Sequence, residues 1–154
     1  MKKIFSLIVL FAILFVQQGL AQDSSKISLL NSYYGLKDAL VKSNSNAAYI
    51  SAAVFVNVVN ISDKISVPDE IRNALIKDAK VISETTDIKV QRQRFASLSA
   101  TMLTLAKAGK LSTEPVYQEY CPMQNASWLS NSKTIKNPFY GNAMLSCGSV
   151  KAIL

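Results

Sequence analysis

The stretch DIKVQRQRFASLSATMLTLAKA, residues Asp87 to Ala108, is the clearest structural signal in the chain. Its core-type side chains recur every three or four residues, as on one face of a helix; they are Ile88, Gln91, Phe95, Leu98, Met102 and Leu105. Gly109 follows Lys107, which is typical of a helix end. The stretch therefore predicts a long amphipathic helix. We interpret its basic run as a solvated face: Lys89, Arg92 and Arg94.

Three further helices are predicted upstream of this one. Apolar residues recur at helical spacing from Ile27 to near Ser43, where the turn Ser43–Asn46 supplies N-cap candidates. The third helix begins after Ser66, which can cap it, with Pro68 in the first turn. Its apolar face continues through Ile71, Leu75, Ala79 and Ile82.

The second helix, Ala47 to Ile61, is the most apolar segment after the N-terminus. Its valines would suit a strand. Its length of about fifteen residues and its alanines favour a helix, and its composition predicts that this helix is buried.

These patterns predict an all-α fold: an up-and-down four-helix bundle with an irregular, loop-rich C-terminal segment packed on it. The bundle spans residues 26–109 and the tail spans 110–154, within one domain of residues 22–154. In the tail, only Val116 to Tyr120 alternates enough to predict a short extended piece.

Residues 1–21 are typical of a signal peptide. Lys2 and Lys3 precede an apolar run from Ile4 to Val16, and small residues follow at Gly19 and Ala21. We expect cleavage before Gln22, a periplasmic or secreted protein, and no stable membrane anchor afterwards. An uncleaved anchor is the weaker alternative, because the run is short for a membrane span.

The composition narrows the classes of function. The chain contains no histidine, which excludes Ser–His–Asp and Cys–His catalysis and histidine-based zinc sites. Loss of Lys2 and Lys3 with the signal lowers the formal charge from +7 to +5. The remaining basic residues are interleaved with acids and form no stripe that tracks phosphates. We expect neither an enzyme nor a nucleic-acid partner.

Two sulfur pairs stand out in the tail: Cys121-Pro-Met123 and Met144-Leu-Ser-Cys147. A Cys121–Cys147 disulfide is one interpretation, since exported cysteines usually pair. A soft-metal site is the second, because thiolates and thioethers select Cu(I). A nucleophilic thiol is the third, although without histidine it needs a lysine or a helix N-terminus to lower its pKa. The residues alone leave these alternatives open.

Several motifs resemble a known family. The tail carries YCPM from Tyr120, ASWLS from Ala126, NPFYG from Asn137 and MLSCG from Met144. Upstream, Tyr33–Leu40 and Gln93–Ser99 are similar to two of its helices. This pattern resembles the bacterial family "domain of unknown function 3347", found as small exported proteins and appended to periplasmic adaptors of copper/silver-type efflux pumps. The matching tail positions are Cys121, Pro122, Met123, Trp128, Asn137, Pro138, Tyr140, Gly141, Met144, Cys147 and Gly148.

The resemblance implies an exported helical domain linked to heavy-metal handling. With the sulfur pairs, it predicts a protein that binds Cu(I) or Ag(I) for tolerance or hand-off, with heavy-metal efflux components as partners. The predicted ligands are Cys121, Met123, Met144 and Cys147. Trp128 would shield the site, and the loop around it would be shaped by Asn137, Pro138, Tyr140 and Gly141. The alternative is a non-enzymatic helical interaction module whose tail is held by a Cys121–Cys147 disulfide.

Overall fold

The computed structural model describes residues 25–109 and 111–154. The predicted signal peptide, residues 1–21, lies outside the described residues. Among those described, no helix is both long and apolar enough to cross a membrane.

All four predicted helices are present. Helix α1 covers residues 25–41, α2 is Ser45–Ile61, α3 is Asp69–Ile82 and α4 is Ile88–Ala108. Short connections join them, and α3 packs against both α2 and α4. The helical bundle expected from the periodicity is confirmed.

Side chains in the turns begin and end these helices. Asn44 caps α2 by accepting a hydrogen bond from the Ala47 N–H at 2.9 Å. Pro68, not Ser66, occupies the N-cap position of α3 and makes no side-chain cap. The predicted Ser66 cap is therefore wrong. Arg72 of α3 binds carbonyl groups at the C-terminal end of α2. Its guanidinium donates to the Ser62 carbonyl at 2.8 Å and also to the carbonyls of Val59 and Val67.

The α4 stripe forms the centre of the core, since five of its six predicted members are buried: Gln91, Phe95, Leu98, Met102 and Leu105. Gln91 belongs there because its amide donates to the carbonyls of Thr85 and Ser45 at 2.7 and 3.0 Å. The amide nitrogen is thus paired, whereas the buried Oε1 of Gln91 has no partner among the described residues.

Helix α2 is only half buried, contrary to the prediction of a buried helix. Its inner face buries four residues: Ala48, Ala52, Phe55 and Val59. Ile50, Val54 and Ile61 on its other side are exposed. A helix at the surface of a bundle buries only the stripe that faces the core, however apolar its composition.

The tail is largely irregular between residues 131 and 148, but strands lie on both sides of that range, so the all-α prediction needs correction. Residues Tyr117–Cys121, Ala126–Ser130 and Ser149–Ile153 form strands β1, β2 and β3 of an antiparallel sheet in the order β2-β1-β3. The predicted extended piece corresponds to β1. The other two strands were missed because each is short and flanked by Ser, Asn and Gly, which are typical of loops.

The sheet packs on the helices through a series of aromatic rings. Tyr33 of α1 stacks on Phe95 of α4, Phe95 contacts Phe139, and Phe139 meets Trp128 of β2 edge-on, with centroids 5.4, 6.0 and 5.7 Å apart. The Tyr33 hydroxyl lies 2.8 Å from the Ser99 hydroxyl and accepts a hydrogen bond from the Leu129 N–H at 3.1 Å. One side chain thus joins α1, α4 and β2.

Replacing Tyr33 with Phe keeps the ring and removes this junction. We expect Tyr33→Phe to lower the free energy of unfolding by about 1–3 kcal/mol, because the Leu129 N–H and the Ser99 hydroxyl lose a buried partner. Chemical denaturation monitored by far-ultraviolet circular dichroism measures it. Tyr49→Phe is the matched control, since Tyr49 is 42% exposed. Equal unfolding midpoints for the two variants would show that the hydroxyl contributes nothing.

Candidate functional site

The two cysteines lie side by side although they are 26 positions apart in sequence. Cys121 is the last residue of β1 and is fully buried, whereas Cys147 precedes β3 and is half-buried. Both are free thiols, and their Sγ atoms are 3.9 Å apart. The structure therefore brings together two of the four predicted sulfur ligands, one of them within reach of solvent.

Trp128 packs beneath the segment that carries Cys147. Gly148 has a positive φ of 150°, and a Cβ there would lie 3.0 Å from both Trp128 Cη2 and the Tyr120 carbonyl oxygen. Only glycine lets the backbone approach the indole this closely. Trp128 is itself fully buried, so it lies next to the cysteine segment on the inner side of the sheet.

Asn137 organises the loop that leads to Cys147. Its side-chain amide donates to the Cys147 carbonyl at 2.7 Å, and its Oδ1 accepts from the N–H groups of Phe139 and Tyr140 at 2.8 and 3.3 Å. Its own N–H donates to the Leu145 carbonyl at 2.8 Å. These bonds hold both ends of the loop from one buried residue, which fixes the position of Cys147 without regular secondary structure.

The same loop is anchored to the helices by Arg92. Its guanidinium donates to the Pro138 carbonyl at 3.0 Å, the Leu40 carbonyl at 3.2 Å and the Ser43 hydroxyl at 2.9 Å. The interpretation of Arg92 as part of a solvated face is wrong. Its guanidinium lies between the C-terminal end of α1 and the loop that leads to Cys147, and it is bonded to both. Gly141 makes room for this contact: its φ is +57°, and a Cβ would lie 2.6 Å from Arg92 Nη2.

The two predicted thioether ligands differ in placement. Met144 is half-buried and begins the turn that ends at Cys147, whose N–H donates to the Met144 carbonyl at 3.1 Å. Such a turn holds their Cα atoms within about 7 Å. Met123 lies in the β1–β2 turn and is 65% exposed. Met144 is thus the better placed of the two.

The environment of Cys147 favours its protonated form. Partial burial and the adjacent Cys121 thiol raise the pKa of Cys147. A raised thiol pKa lowers the thiolate fraction at neutral pH and with it the reactivity of an isolated nucleophile. Among residues 25–109 and 111–154, no group of three or more His, Cys, Asp or Glu side chains is placed to hold a metal ion.

A second polar cluster, which the sequence did not reveal, lies on the same face of β1. Glu119 is fully buried two residues before Cys121, and neither carboxyl oxygen has a hydrogen-bond partner among the described residues. The Tyr34 hydroxyl and the Trp128 indole N–H are buried and unpartnered in the same way. The Lys37 ammonium lies 5.3 Å from the centroid of the Tyr34 ring and 3.1 Å from Asp38 Oδ1.

Burial raises the pKa of Glu119 to about 7, while the nearby Lys37 charge acts to lower it. The Trp128 indole N–H, which belongs to the residue opposite Glu119, also acts to lower it without completing a hydrogen bond. The carboxyl is therefore partly protonated at neutral pH. The one sequence signal for this residue is its spacing, since positions two apart in a strand share a face. That signal became informative only once β1 and its buried face were known.

Neutralising Glu119 tests this arrangement. Between the unfolded pKa of 4.5 and the folded pKa of about 7, the folded state holds a proton that the unfolded state has lost. The stability from this group is therefore complete below about pH 4.5 and is lost as pH rises through 7. Between pH 5 and pH 8, we expect the free energy of unfolding to fall by about 1–3 kcal/mol more in the wild-type protein than in Glu119→Gln.

Denaturant unfolding of both proteins across that pH range measures the difference. Glu114→Gln is the matched control, because Glu114 is exposed. The free energy of unfolding of this variant should change with pH as it does in the wild-type protein. Parallel pH profiles for wild type and Glu119→Gln would contradict the raised pKa.

Comparison with known protein families gives a match over the helical part of the chain. The model of the family described as "Protein of unknown function (DUF3347)" matches residues 29–114, just over half of the 154-residue chain. The matched range covers the helical bundle and ends before β1, so the tail motifs lie outside it. No curated protein and no solved structure matches the chain. The chain belongs to the DUF3347 family of proteins of unknown function.

Proposed function

We propose that the protein is an exported, non-enzymatic carrier of a soft metal ion, Cu(I) or Ag(I), bound by the thiolates of Cys121 and Cys147. The observation that carries this proposal is the pair of free thiols with Sγ atoms 3.9 Å apart. Thiolates are the ligands that select such ions.

The sulfur separation suits a bridging ion. A disulfide would require an S–S distance near 2.05 Å. An ion bound linearly between two thiolates would require about 4.6 Å, if each metal–sulfur bond is about 2.3 Å. The observed 3.9 Å is closer to the second value. A small outward movement of the half-exposed Cys147 would complete the site.

A third sulfur is available from the turn that carries Cys147. Because Met144 begins that turn, its thioether can approach the ion and convert a two-coordinate site into a three-coordinate one. Met123 would become a fourth ligand only if the β1–β2 turn folds back over Cys121. We therefore propose two thiolates with Met144 as the principal thioether and Met123 as the weaker one.

Ion binding at this site consumes thiolates, so it releases protons and tightens as pH rises. The raised pKa of Cys147 extends this dependence to more alkaline pH, because the thiol must lose its proton before it can bind the ion. A carrier of this kind would bind more weakly in an acidic compartment and hand its ion on there.

The cellular setting follows from the N-terminal pattern and the tail motifs. The signal-peptide pattern of residues 1–21 supports export to the periplasm or beyond. The resemblance of the tail to domains appended to pump adaptors supports heavy-metal efflux components as partners. In this setting the protein would serve metal tolerance by holding Cu(I) or Ag(I) until hand-off.

Anaerobic Cu(I) titration of the reduced protein tests the proposal. Trp128 is the only tryptophan and packs against Gly148, so its fluorescence reports binding at Cys147. We expect Cys121→Ser and Cys147→Ser each to weaken binding by about 100-fold or more, since each removes a thiolate ligand. Met144→Leu should weaken it by about tenfold, and Met123→Leu by less.

Met102→Leu is the matched control for the methionines, because Met102 is buried in the core and the exchange conserves volume. Its affinity should equal that of the wild type. Unchanged affinity in the Met123→Leu, Met144→Leu double variant would restrict the site to the cysteines. Unchanged affinity after loss of both cysteines would refute the proposed site.

The second candidate is a helical interaction module stapled by a Cys121–Cys147 disulfide. The observation behind it is that the two free thiols already lie next to each other, so that oxidation needs the sulfurs to approach only from 3.9 Å to about 2.05 Å. Closing a loop of this size would stabilise the fold by about 3 kcal/mol.

Mass spectrometry of protein isolated without reductant distinguishes the two candidates. The stapled form is lighter by two hydrogen atoms and should lose about 3 kcal/mol on reduction. With or without reductant, Cys147→Ser should have the same stability as the reduced wild-type protein. Protein isolated with both thiols free, as shown by their alkylation with iodoacetamide after denaturation, would exclude the staple.

A further inference from the structure

The two sulfur atoms of the thiol pair differ in their access to solvent. Cys121 is fully buried and belongs to the hydrophobic core, whereas Cys147 is half-buried and packs against that core from outside. Their Sγ atoms are 3.9 Å apart. A molecule that arrives from solvent therefore reaches the pair on the side of Cys147.

The sulfur of Cys147 can move while its backbone stays in place. Asn137 donates to the Cys147 carbonyl at 2.7 Å, and the Cys147 N–H donates to the Met144 carbonyl at 3.1 Å. The polar neighbour of the Sγ atom among the described residues is Cys121 Sγ. Rotation about χ1 therefore moves this sulfur without breaking the bonds that hold the loop. Cys121 lacks this freedom, because the core encloses its side chain and its backbone is paired with Ala126 in the sheet.

Building on the proposed function, we infer that Cu(I) or Ag(I) exchanges at this site in a fixed order. Cys147 is the first ligand to bind an arriving ion and the last to release a departing one. Cys121 binds second on arrival and is displaced first on departure. The intermediate of hand-off is an ion shared between Cys147 and one sulfur of the partner, because a partner sulfur cannot reach the buried side of the pair.

The hand-off is a ligand exchange in two steps. A thiolate or thioether sulfur of the partner binds the ion, the bond from the ion to Cys121 breaks, and Cys121 takes up a proton. A second partner sulfur then displaces Cys147, which is protonated in turn. No electron is transferred, so the ion stays monovalent. The partner is thus a protein with two sulfur ligands that are open to solvent.

Alkylation of the reduced, metal-free protein tests the order of access. The native wild-type protein is treated briefly with iodoacetamide, and the singly modified species is digested and mapped by mass spectrometry. We expect about tenfold more label at Cys147 than at Cys121, because a buried thiol reacts only when the fold opens. The same treatment in denaturant should label both cysteines equally, which is the control.

The kinetics of ion transfer test the order of binding. Cu(I) is supplied anaerobically as its coloured complex with bicinchoninate to an excess of protein, and the initial rate of colour loss is recorded. Cys121→Ser keeps the sulfur that binds first, so it should take up the ion within about threefold of the wild-type rate although it holds the ion more weakly. Cys147→Ser is the matched variant and should slow uptake by about tenfold or more, because the ion must reach a buried sulfur.

Two measurements show that the variants are folded. Far-ultraviolet circular dichroism of both should match that of the wild type. In Cys147→Ser, alkylation of Cys121 should stay slow in buffer and accelerate only as denaturant unfolds the protein.

The outcomes separate the order of exchange from the proposed function. Equal labelling of the two cysteines in the native protein, or equal uptake rates in the two variants, would overturn the order alone. Slower uptake by Cys121→Ser than by Cys147→Ser would also overturn it, because Cys121 would then be the first contact. Absence of Cu(I) uptake by the wild-type protein would refute the proposed function and the order with it, even if Cys147 is labelled first.

Discussion

The hydroxyl of Tyr33 connects the helical bundle to the sheet. Strand β2 is an edge strand, so the Leu129 N–H points away from β1 and needs a partner from outside the sheet. Tyr33 supplies it while its hydroxyl bonds Ser99 and its ring stacks on Phe95. Because the sheet lies where this contact places it, the positions of Trp128 and Cys121 depend on it.

Two further polar residues fix the loop that brings Cys147 next to Cys121. Asn137 holds both ends of the loop that precedes β3, and Arg92 ties the same loop to the end of α1. Each is bonded to several backbone carbonyls or N–H groups, which is how a segment without regular structure satisfies its buried polar atoms. Cys147 is thereby held against Cys121, although neither residue is near the other in sequence.

The inner face of β1 places a buried carboxyl close to the thiol pair. Glu119 and Cys121 are two residues apart and both are buried. Burial raises the pKa of Glu119 to about 7, and burial with the neighbouring thiol raises that of Cys147. A change in pH near neutrality therefore alters the charge of the helix–sheet interface beside the proposed metal site. Proton release on metal binding would occur next to a carboxyl that can accept a proton.

The sequence by itself determined the four helices, because a 3.6-residue period and the residues at helix ends are local properties. It also drew attention to Cys121, Cys147 and Asn137. Only the tertiary structure decided that the tail forms a sheet, since β1, β2 and β3 pair across loops whose composition gives no register. The roles of Arg92 and Glu119, and the exposed face of α2, were likewise decided by which elements pack around them. The environment of a side chain depends on contacts distant in sequence, whereas the period of a helix does not.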